Sequence, residues 1–348
     1  MVTTAPTTTL PRARGPLSST LLEVLAGHPS DNSPQLLELL DAAAAHLVVT
    51  ENVARDEDAQ LSLFLLYSLH YGGVIDGDDA WEWDGRLLAL RSLYESAFEA
   101  QLRSTIPVPE LPASDAESVA AALFALTSAD TGPSLSRYVA RTATAEQLTE
   151  FLVQRSIYTL READPHSWAI PRLTGRPKAA LVEIQSDEYG GGRPERMHAA
   201  IFAQTMRSLG LDDTYGRYVD NVPAITLASL NMMSMFGLNR RLRGAIVGHL
   251  AAFEMTSSIP NRFYGNGFRR LGFGEETTWY FDEHVEADAV HEQIAGRDMA
   301  GNLAEDDPRL LADIMFGAAA CLVVDGWAGE HMLNAWTAGE SSLRVALA

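Results

Sequence analysis

Apolar residues recur three and four positions apart along most of the chain from Ser18 onward. This spacing places them on one face of an α-helix, because the helical period is 3.6 residues. No stretch shows the sustained alternation of apolar and polar residues that is typical of a half-buried β-strand. The chain is therefore predicted to be all-α.

Capping and turn residues divide the second half of the chain into successive helices. Thr144 and Gln147 resemble a capping box, and the helix that they open is expected to stop near Asp164, which precedes a proline. Prolines and a run of three glycines, residues 190–192, bound the helices that follow. The further predicted helices cover residues 177–189, 194–210, 223–238, 241–258, 275–295 and 308–336.

A proline-rich stretch, residues 104–114, interrupts the helical pattern and suggests two parts. Residues 1–18 are rich in Thr and Pro and lack the apolar centre of a signal peptide, so we predict a disordered lead. Residues 19–140 are predicted to form an N-terminal helical region without an obvious site. Residues 141–340 are predicted to form the domain that carries the chemistry.

The composition is that of a soluble protein with a net charge of −20 and a pI near 4.8. Electrostatic repulsion then argues against nucleic acid and anionic membranes as partners. No apolar segment is expected to be long enough to span a bilayer. The single cysteine, Cys321, excludes an internal disulfide, a Cys-based zinc site and an iron–sulfur cluster, so a metal would need His and carboxylate ligands. A reducing cytoplasm is the expected compartment.

The strongest local motif is His284, Asp288 and His291. Positions i, i+4 and i+7 fall within an arc of about 60°, so both imidazoles and the carboxylate leave one face of a helix. Imidazole and carboxylate together suit iron, manganese or zinc. The alternative is a polar outer stripe that happens to contain two histidines, but neighbouring apolar residues favour an inward face.

Carboxylates also occur at unfavourable places on other predicted helices. Glu162 and Glu188 each lie in a last helical turn, where the helix dipole disfavours negative charge by about 0.3–1 kcal/mol unless a cation is near. Glu254 shares its face with apolar residues and is predicted to be buried, where acids are rarely left unpaired. His198 lies on a predicted helix among apolar residues, where a structural histidine is the simpler interpretation.

Together these residues have the composition of a carboxylate-bridged diiron site. A ferritin-like bundle is a second choice, because such bundles use two Glu-x-x-His pairs. Only Glu195-x-x-His198 matches that pattern, and Asp288-x-x-His291 is a near match.

The chain resembles the haem-oxygenase-like diiron oxidases and oxygenases, often called iron-containing redox enzymes. The resemblance lies in the type and spacing of seven residues, and it covers roughly residues 141–340. These residues are Glu162, Glu188, His198, Glu254, His284, Asp288 and His291. The resemblance implies a haem-oxygenase-like helical bundle with an additional N-terminal helical region, similar in kind to the family's accessory or dimerisation region.

The resemblance also implies a role for each residue in binding two irons. Glu162 and His291 would bind one iron, and His198 and His284 the other. Glu188 would bridge the irons, Asp288 would lie near both, and Glu254 would be a mobile extra ligand of the second iron. Glu195 is the alternative bridge. The two irons are expected to be diferrous and to be oxidised by dioxygen to a peroxo-diferric species.

By this resemblance the expected function is that of a dioxygen-activating non-haem diiron oxidoreductase, which most closely matches the family's N-oxygenase branch. The expected reaction is N-oxygenation of an amine or guanidine group of a small molecule. Oxidative C–C cleavage or desaturation of a fatty or amino acid is the alternative, and a non-catalytic iron-binding protein is a third hypothesis. The expected partners are the substrate, dioxygen, an unidentified electron donor and a second copy in a homodimer.

Other polar and aromatic residues are left with two interpretations each. His166 and His249 are interpreted as structural or as supporting the ligands. Tyr280 and its neighbours either line a substrate pocket or pack in the core, and the core is the simpler interpretation. Arg262, Arg269 and Arg270 either orient a substrate carboxylate or belong to a solvated basic loop.

Overall fold

The structure, a computed structural model, describes residues 10–29, 34–75, 77–129 and 134–347, and it describes residues 286–290 by their backbone only. Within these ranges the chain consists of helices and turns without a β-strand, which confirms the predicted all-α class. The α-helices are α1 (Pro16–Leu25), α2 (Pro34–Val49), α3 (Glu57–Tyr71), α4 (Gly85–Thr105), α5 (Ala116–Ser128), α6 (Leu135–Arg141), α7 (Ala145–Thr159), α8 (Asp164–Ser167), α9 (Gly175–Glu188), α10 (His198–Ser208), α11 (Ala224–Leu238), α12 (Arg243–Arg270), α13 (Glu275–Gln293), α14 (Asn302–Asp306) and α15 (Leu311–Thr337).

The two longest helices, α12 and α15, pack closely at the centre of the fold. Gly248 of α12 and Gly317 of α15 allow this contact, because a Cβ at either position would overlap the backbone of the other helix. The segment 308–337 is long and apolar enough by composition to cross a membrane, contrary to the sequence-based expectation. However, 61% of its apolar window is buried inside the protein, which is typical of a core helix.

The N-terminal helices share one hydrophobic core with the rest of the chain. Asn231 of α11 donates to the backbone oxygen of Gln60 in α3 over 2.9 Å, and Tyr71 lies 3.2 Å from Ser234. Part of the expected disordered lead is ordered, because α1 begins at Pro16 and the Arg14 guanidinium binds carbonyl groups of the turn before α11. Residues 1–9 of that lead lie outside the described residues.

Several helix ends differ from the predicted ones. Helix α7 ends at Thr159 instead of near Asp164, because a turn follows in which Ala163 has a left-handed φ of 74°. Helix α12 continues through Pro260 to Arg270, past the predicted end. Helix α13 passes directly into a π-helix, Ile294–Gly301, a rare conformation that is frequent near functional sites. The helix break at the proline-rich stretch is confirmed, since 106–115 is not helical.

Candidate metal centre

Two helices meet end to end at the centre of the candidate site. Glu188 is the last residue of α9, and His198 is the first residue of α10. The intervening Gly190 has a left-handed φ of 69°, and a Cβ there would lie 2.6 Å from the carbonyl carbon of Arg196. This tight turn brings Glu188 Oε2 to 2.9 Å from His198 Nδ1.

Four buried side chains converge around that contact. One potential ligand atom from each lies within 4.8 Å of all the others, and the four residues are Glu162, Glu188, His198 and His284. Within this group, His284 Nε2 lies 3.5 Å from Glu162 Oε1. The rings of His198 and His284 are 4.4 Å apart. This group offers two carboxylates and two imidazoles to one ion.

A second group shares one member with the first. Glu188, Glu254 and His291 also offer ligand atoms within 4.8 Å of one another, and all three are buried. His291 Nδ1 lies 3.4 Å from Glu254 Oε2. Glu188 is therefore the residue that the two groups share.

Hydrogen bonds on the outer side of two histidines orient their rings. His284 Nδ1 lies 2.7 Å from the backbone oxygen of Tyr280, which only accepts, so this nitrogen donates and Nε2 keeps its lone pair. His291 Nε2 lies 3.0 Å from Asp187 Oδ2, which leaves Nδ1 to face Glu254. Such outer hydrogen bonds are typical of metal-binding histidines.

The buried polar atoms of the two groups fit a bound cation. Glu188 Oε2, His198 Nδ1 and His291 Nδ1 are buried, and none makes an aligned hydrogen bond to any described residue. Such orphaned atoms are costly in a protein interior, and a cation held between them would remove the cost. Two ferrous ions would also balance the charge of four carboxylates, if Asp288 is the fourth. Iron accepts this mixture of imidazole and carboxylate ligands.

In the metal-free site, burial and neighbouring charged groups shift the pKa values of the candidate ligands. Burial opposes charge on His291, but Glu254 and Asp187 raise the pKa of His291 to about 9. Burial likewise opposes the charge on Glu162, yet His284 holds the pKa of that carboxyl below its usual value. Burial raises the pKa of Glu254. A cation that bound His291 would therefore displace a proton at neutral pH.

The structure groups the predicted residues differently from the pairing that the resemblance implied. Glu162 lies with His198 and His284 instead of with His291, and Glu254 lies with His291. The side chain of Asp288 lies outside the described residues, although its backbone belongs to α13. Glu195, the alternative bridge, is exposed on a short 3-10 turn and belongs to neither group.

Sequence reasoning missed three polar contacts around the site. Tyr280 is buried in the core as predicted, but its hydroxyl also donates to both oxygens of Glu162, at 2.7 and 2.9 Å. Asp187 orients His291, and only its position next to Glu188 could have indicated this. His166 and His249 form a buried pair with ring nitrogens 3.1 Å apart, although no regular spacing in the sequence connects them.

Two cavities border the centre. A narrow one, of about 10 Å³, lies between α7, α9 and α12, and both polar residues, such as Glu162 and Gln185, and apolar residues, such as Leu250, line it. A wider surface cleft of about 350 Å³ lies beside the loop after α9 and reaches His198. The inner cavity has room for about one water-sized molecule, which is the scale of dioxygen.

Two comparisons with known proteins identify related sequences. The model of the family described as "Iron-containing redox enzyme" matches residues 149–326, about half of the chain and inside the predicted domain. The nitrosourea synthase of Streptomyces achromogenes subsp. streptozoticus is 28% identical over 156 residues, which are 44% of this chain and 33% of that protein. The matched segment thus spans about a third of the relative's length. The chain belongs to the iron-containing redox enzyme family and has its haem-oxygenase-like helical fold.

Proposed function

We propose that this protein is a non-haem diiron enzyme that activates dioxygen and N-oxygenates an amine or guanidine group of a small molecule. The observation that carries the proposal is the position of Glu188 in two adjoining groups of buried ligand atoms. A mononuclear site would use one such group and leave His291 and Glu254 unexplained. An iron-storage protein would not require the polar cavity next to the ligands.

In this proposal Glu162, His198 and His284 hold one iron, and Glu254 and His291 hold the other. Glu188 lies between them, and Asp288 completes the set. When bound, the ferrous ions supply electrons for the reduction of dioxygen. One oxygen atom enters a new N–O bond and the other leaves as water. Two electrons and two protons from an external reductant balance the reaction.

The chain's own residues prepare the site for this chemistry. Tyr280 shares its proton with both oxygens of Glu162 and so limits the basicity and rotation of that carboxylate. Asp187 holds the His291 ring with Nδ1 directed inward. Burial of all six described ligands excludes bulk water, which strengthens their electrostatic interactions.

N-oxygenation is favoured over the oxidation of a long-chain acid by the lining of the inner cavity. A fatty acid would require a long apolar tunnel, whereas this cavity is narrow, and carboxylate, imidazole and amide groups border it beside Leu250 and Phe253. The similarity to a nitrosourea synthase, by its name a protein that makes a nitrogen–nitrogen product, supports chemistry at nitrogen.

Stopped-flow absorption tests the proposal. Anaerobic protein loaded with iron(II) is mixed with dioxygen, and Glu188→Ala and His284→Ala are compared with Glu195→Ala as the matched control. We expect a transient visible band in the wild type and in Glu195→Ala, and none in the two ligand variants. Faster decay of the band with an amine, together with a product heavier by one oxygen atom, would support N-oxygenation. Slow iron oxidation at the same rate in all four proteins would contradict the proposal.

A further inference from the structure

Gln185 is a buried glutamine whose amide group the protein satisfies only in part. It lies on α9, one turn before Glu188, and 3% of its surface is exposed. Its amide nitrogen donates to the backbone oxygen of Ala163 over 2.8 Å and to the hydroxyl of Ser167 over 2.7 Å. Both amide hydrogens are therefore in use, whereas the amide oxygen, Oε1, has no hydrogen-bond partner among the described residues. A buried acceptor without a partner is costly.

His166 also has one polar atom without a partner. Its side chain is buried, and its Nε2 lies 3.1 Å from Nδ1 of His249 on α12. Burial lowers the pKa of His166 to about 3, so the ring is neutral and offers one donor and one acceptor. The second ring nitrogen, Nδ1, makes no aligned hydrogen bond to any residue in the described ranges. The pair with His249 therefore satisfies only half of the hydrogen-bonding capacity of this imidazole.

Gln185 and His166 line the same small cavity. This is the inner cavity beside the candidate metal centre, and Glu162 and Glu188 border it as well. Its volume of about 10 Å³ is close to the space that one water molecule needs. Buried waters typically make about three hydrogen bonds, and they satisfy polar groups that the protein leaves unpaired. The size and the lining of the cavity therefore both match a single water.

A strained turn holds the two residues around the cavity. Ala163 has a left-handed φ of 74°, and its carbonyl accepts the hydrogen bond from Gln185. The turn joins Glu162 to α8, which carries His166. Backbone strain of this kind persists only where surrounding contacts fix it, and it is frequent at functional sites. Gln185 thus ties the segment with Glu162 and His166 to the helix that ends in Glu188.

We propose that the inner cavity binds one water molecule between Gln185 Oε1 and His166 Nδ1, and that this water donates a hydrogen bond to Glu188. Glu188 is the carboxylate with free capacity for it, because both oxygens of Glu162 already accept from Tyr280. Gln185 and His166 are then positioning residues, which act through the water on the ligand that the two groups share. The water site stands independently of the proposed function, whereas its effect on iron rests on that function.

This arrangement requires one tautomer of the histidine pair. The amide oxygen of Gln185 and the carboxylate of Glu188 can only accept, so they take both hydrogens of the water. The third partner, His166, must then donate through Nδ1–H. Its Nε2 becomes an acceptor, and His249 donates to it through Nδ1–H. Nitrogen-15 NMR distinguishes the two tautomers, and we expect the proton of His166 on Nδ1.

High-resolution crystal structures of the full-length, metal-free protein test the water site. The variants are Gln185→Met, His166→Gln and His166→Asn. Asparagine places a polar atom at the position of Nδ1 and glutamine places one at the position of Nε2, because the number of bonds from Cα is the same in each case. We expect a water about 2.7–3.2 Å from Gln185 Oε1 and from His166 Nδ1 in the wild type. It should remain in His166→Asn and be absent from the other two variants.

Anaerobic iron(II) titration tests the positioning role. We expect Gln185→Met and His166→Gln to bind iron about 10-fold more weakly, and His166→Asn to keep the wild-type affinity. Gln154→Met is the matched control, because Gln154 is equally buried, binds Ser342 and Thr226 and does not line the cavity. It should lower the melting temperature and keep the wild-type iron affinity.

Several results would overturn the inference. A wild type without a water at Gln185 and His166, or with the His166 proton on Nε2, would reject the water site. Equal iron affinities in the wild type and Gln185→Met would reject the positioning role, as would an equal loss in His166→Asn and His166→Gln or the same loss in Gln154→Met. A water in a protein that binds no iron would reject only the diiron proposal. Two bound irons beside a cavity without water would reject only this inference.

Discussion

Asp187 Oδ2 lies 3.0 Å from His291 Nε2, and Asp187 directly precedes Glu188. The end of α9 therefore supplies both a candidate ligand and the group that orients a second ligand on α13. Asp187 itself is largely exposed, so a position that looks like ordinary surface contacts a candidate metal ligand.

We predict that Asp187→Ala weakens iron binding at the His291 side by about 10- to 100-fold, because the ring loses the group that fixes its tautomer and orientation. The other iron should bind as in the wild type. Anaerobic iron(II) titration measures the affinity of both iron sites. Glu183→Ala is the matched control, since Glu183 is an exposed acid one turn earlier on the same helix. Equal affinities in Asp187→Ala and Glu183→Ala would contradict the orienting role.

The glycines between α9 and α10 allow a second prediction, in which a neighbouring glycine serves as the control. Gly190→Ala should abolish or strongly reduce iron binding, because its Cβ would overlap the backbone of Arg196 and push Glu188 away from His198. Gly191 has a similar left-handed φ of 60°, but a Cβ added there would have no atom within 4 Å. The matched control is therefore Gly191→Ala. It should cost about 1–2 kcal/mol of stability and retain iron. Thermal unfolding and iron content check both, and full iron content in Gly190→Ala would contradict the account.

The buried pair His166 and His249 predicts how stability depends on pH. Burial lowers the pKa of His166 to about 3 and the pKa of His249 well below its ordinary value. Both are neutral in the folded protein and take up protons on unfolding below about pH 6.5, so the unfolded state gains protons. The free energy of unfolding should therefore fall as the pH decreases below about 6.5, by up to about 1.4 kcal/mol per pH unit for each histidine.

Urea unfolding between about pH 7 and pH 5 measures this slope. The protein is kept metal-free with a chelator, so that loss of metal does not contribute. His166→Gln should show a slope that is shallower by the contribution of one histidine. An unchanged slope in His166→Gln would show that the pair does not remain neutral in the folded state.

Local sequence patterns predicted the helical class and most of the helix positions because helical periodicity is a local property. The spacing of His284 and His291 correctly indicated an inward face, since both are buried. Their partners could not be derived from local patterns. Whether Glu162 faces His284 or His291 depends on where the turn after α7 lies relative to α13, and no residue preference indicates that turn at Ala163.

Contacts between distant segments could not be predicted from the sequence either. Arg14 was assigned to a disordered lead, yet it binds carbonyl groups some 200 residues away. Buried polar residues follow from such long-range packing, which a single sequence does not encode in any periodic signal.

Anaerobic iron(II) titration of the full-length protein tests most directly whether two irons share Glu188. We expect two ferrous ions for each wild-type chain, two for Glu195→Ala, and a large loss of affinity for both ions in Glu188→Ala. A wild type that binds one ion or none, or a Glu188→Ala variant that still binds two with wild-type affinity, would contradict this expectation.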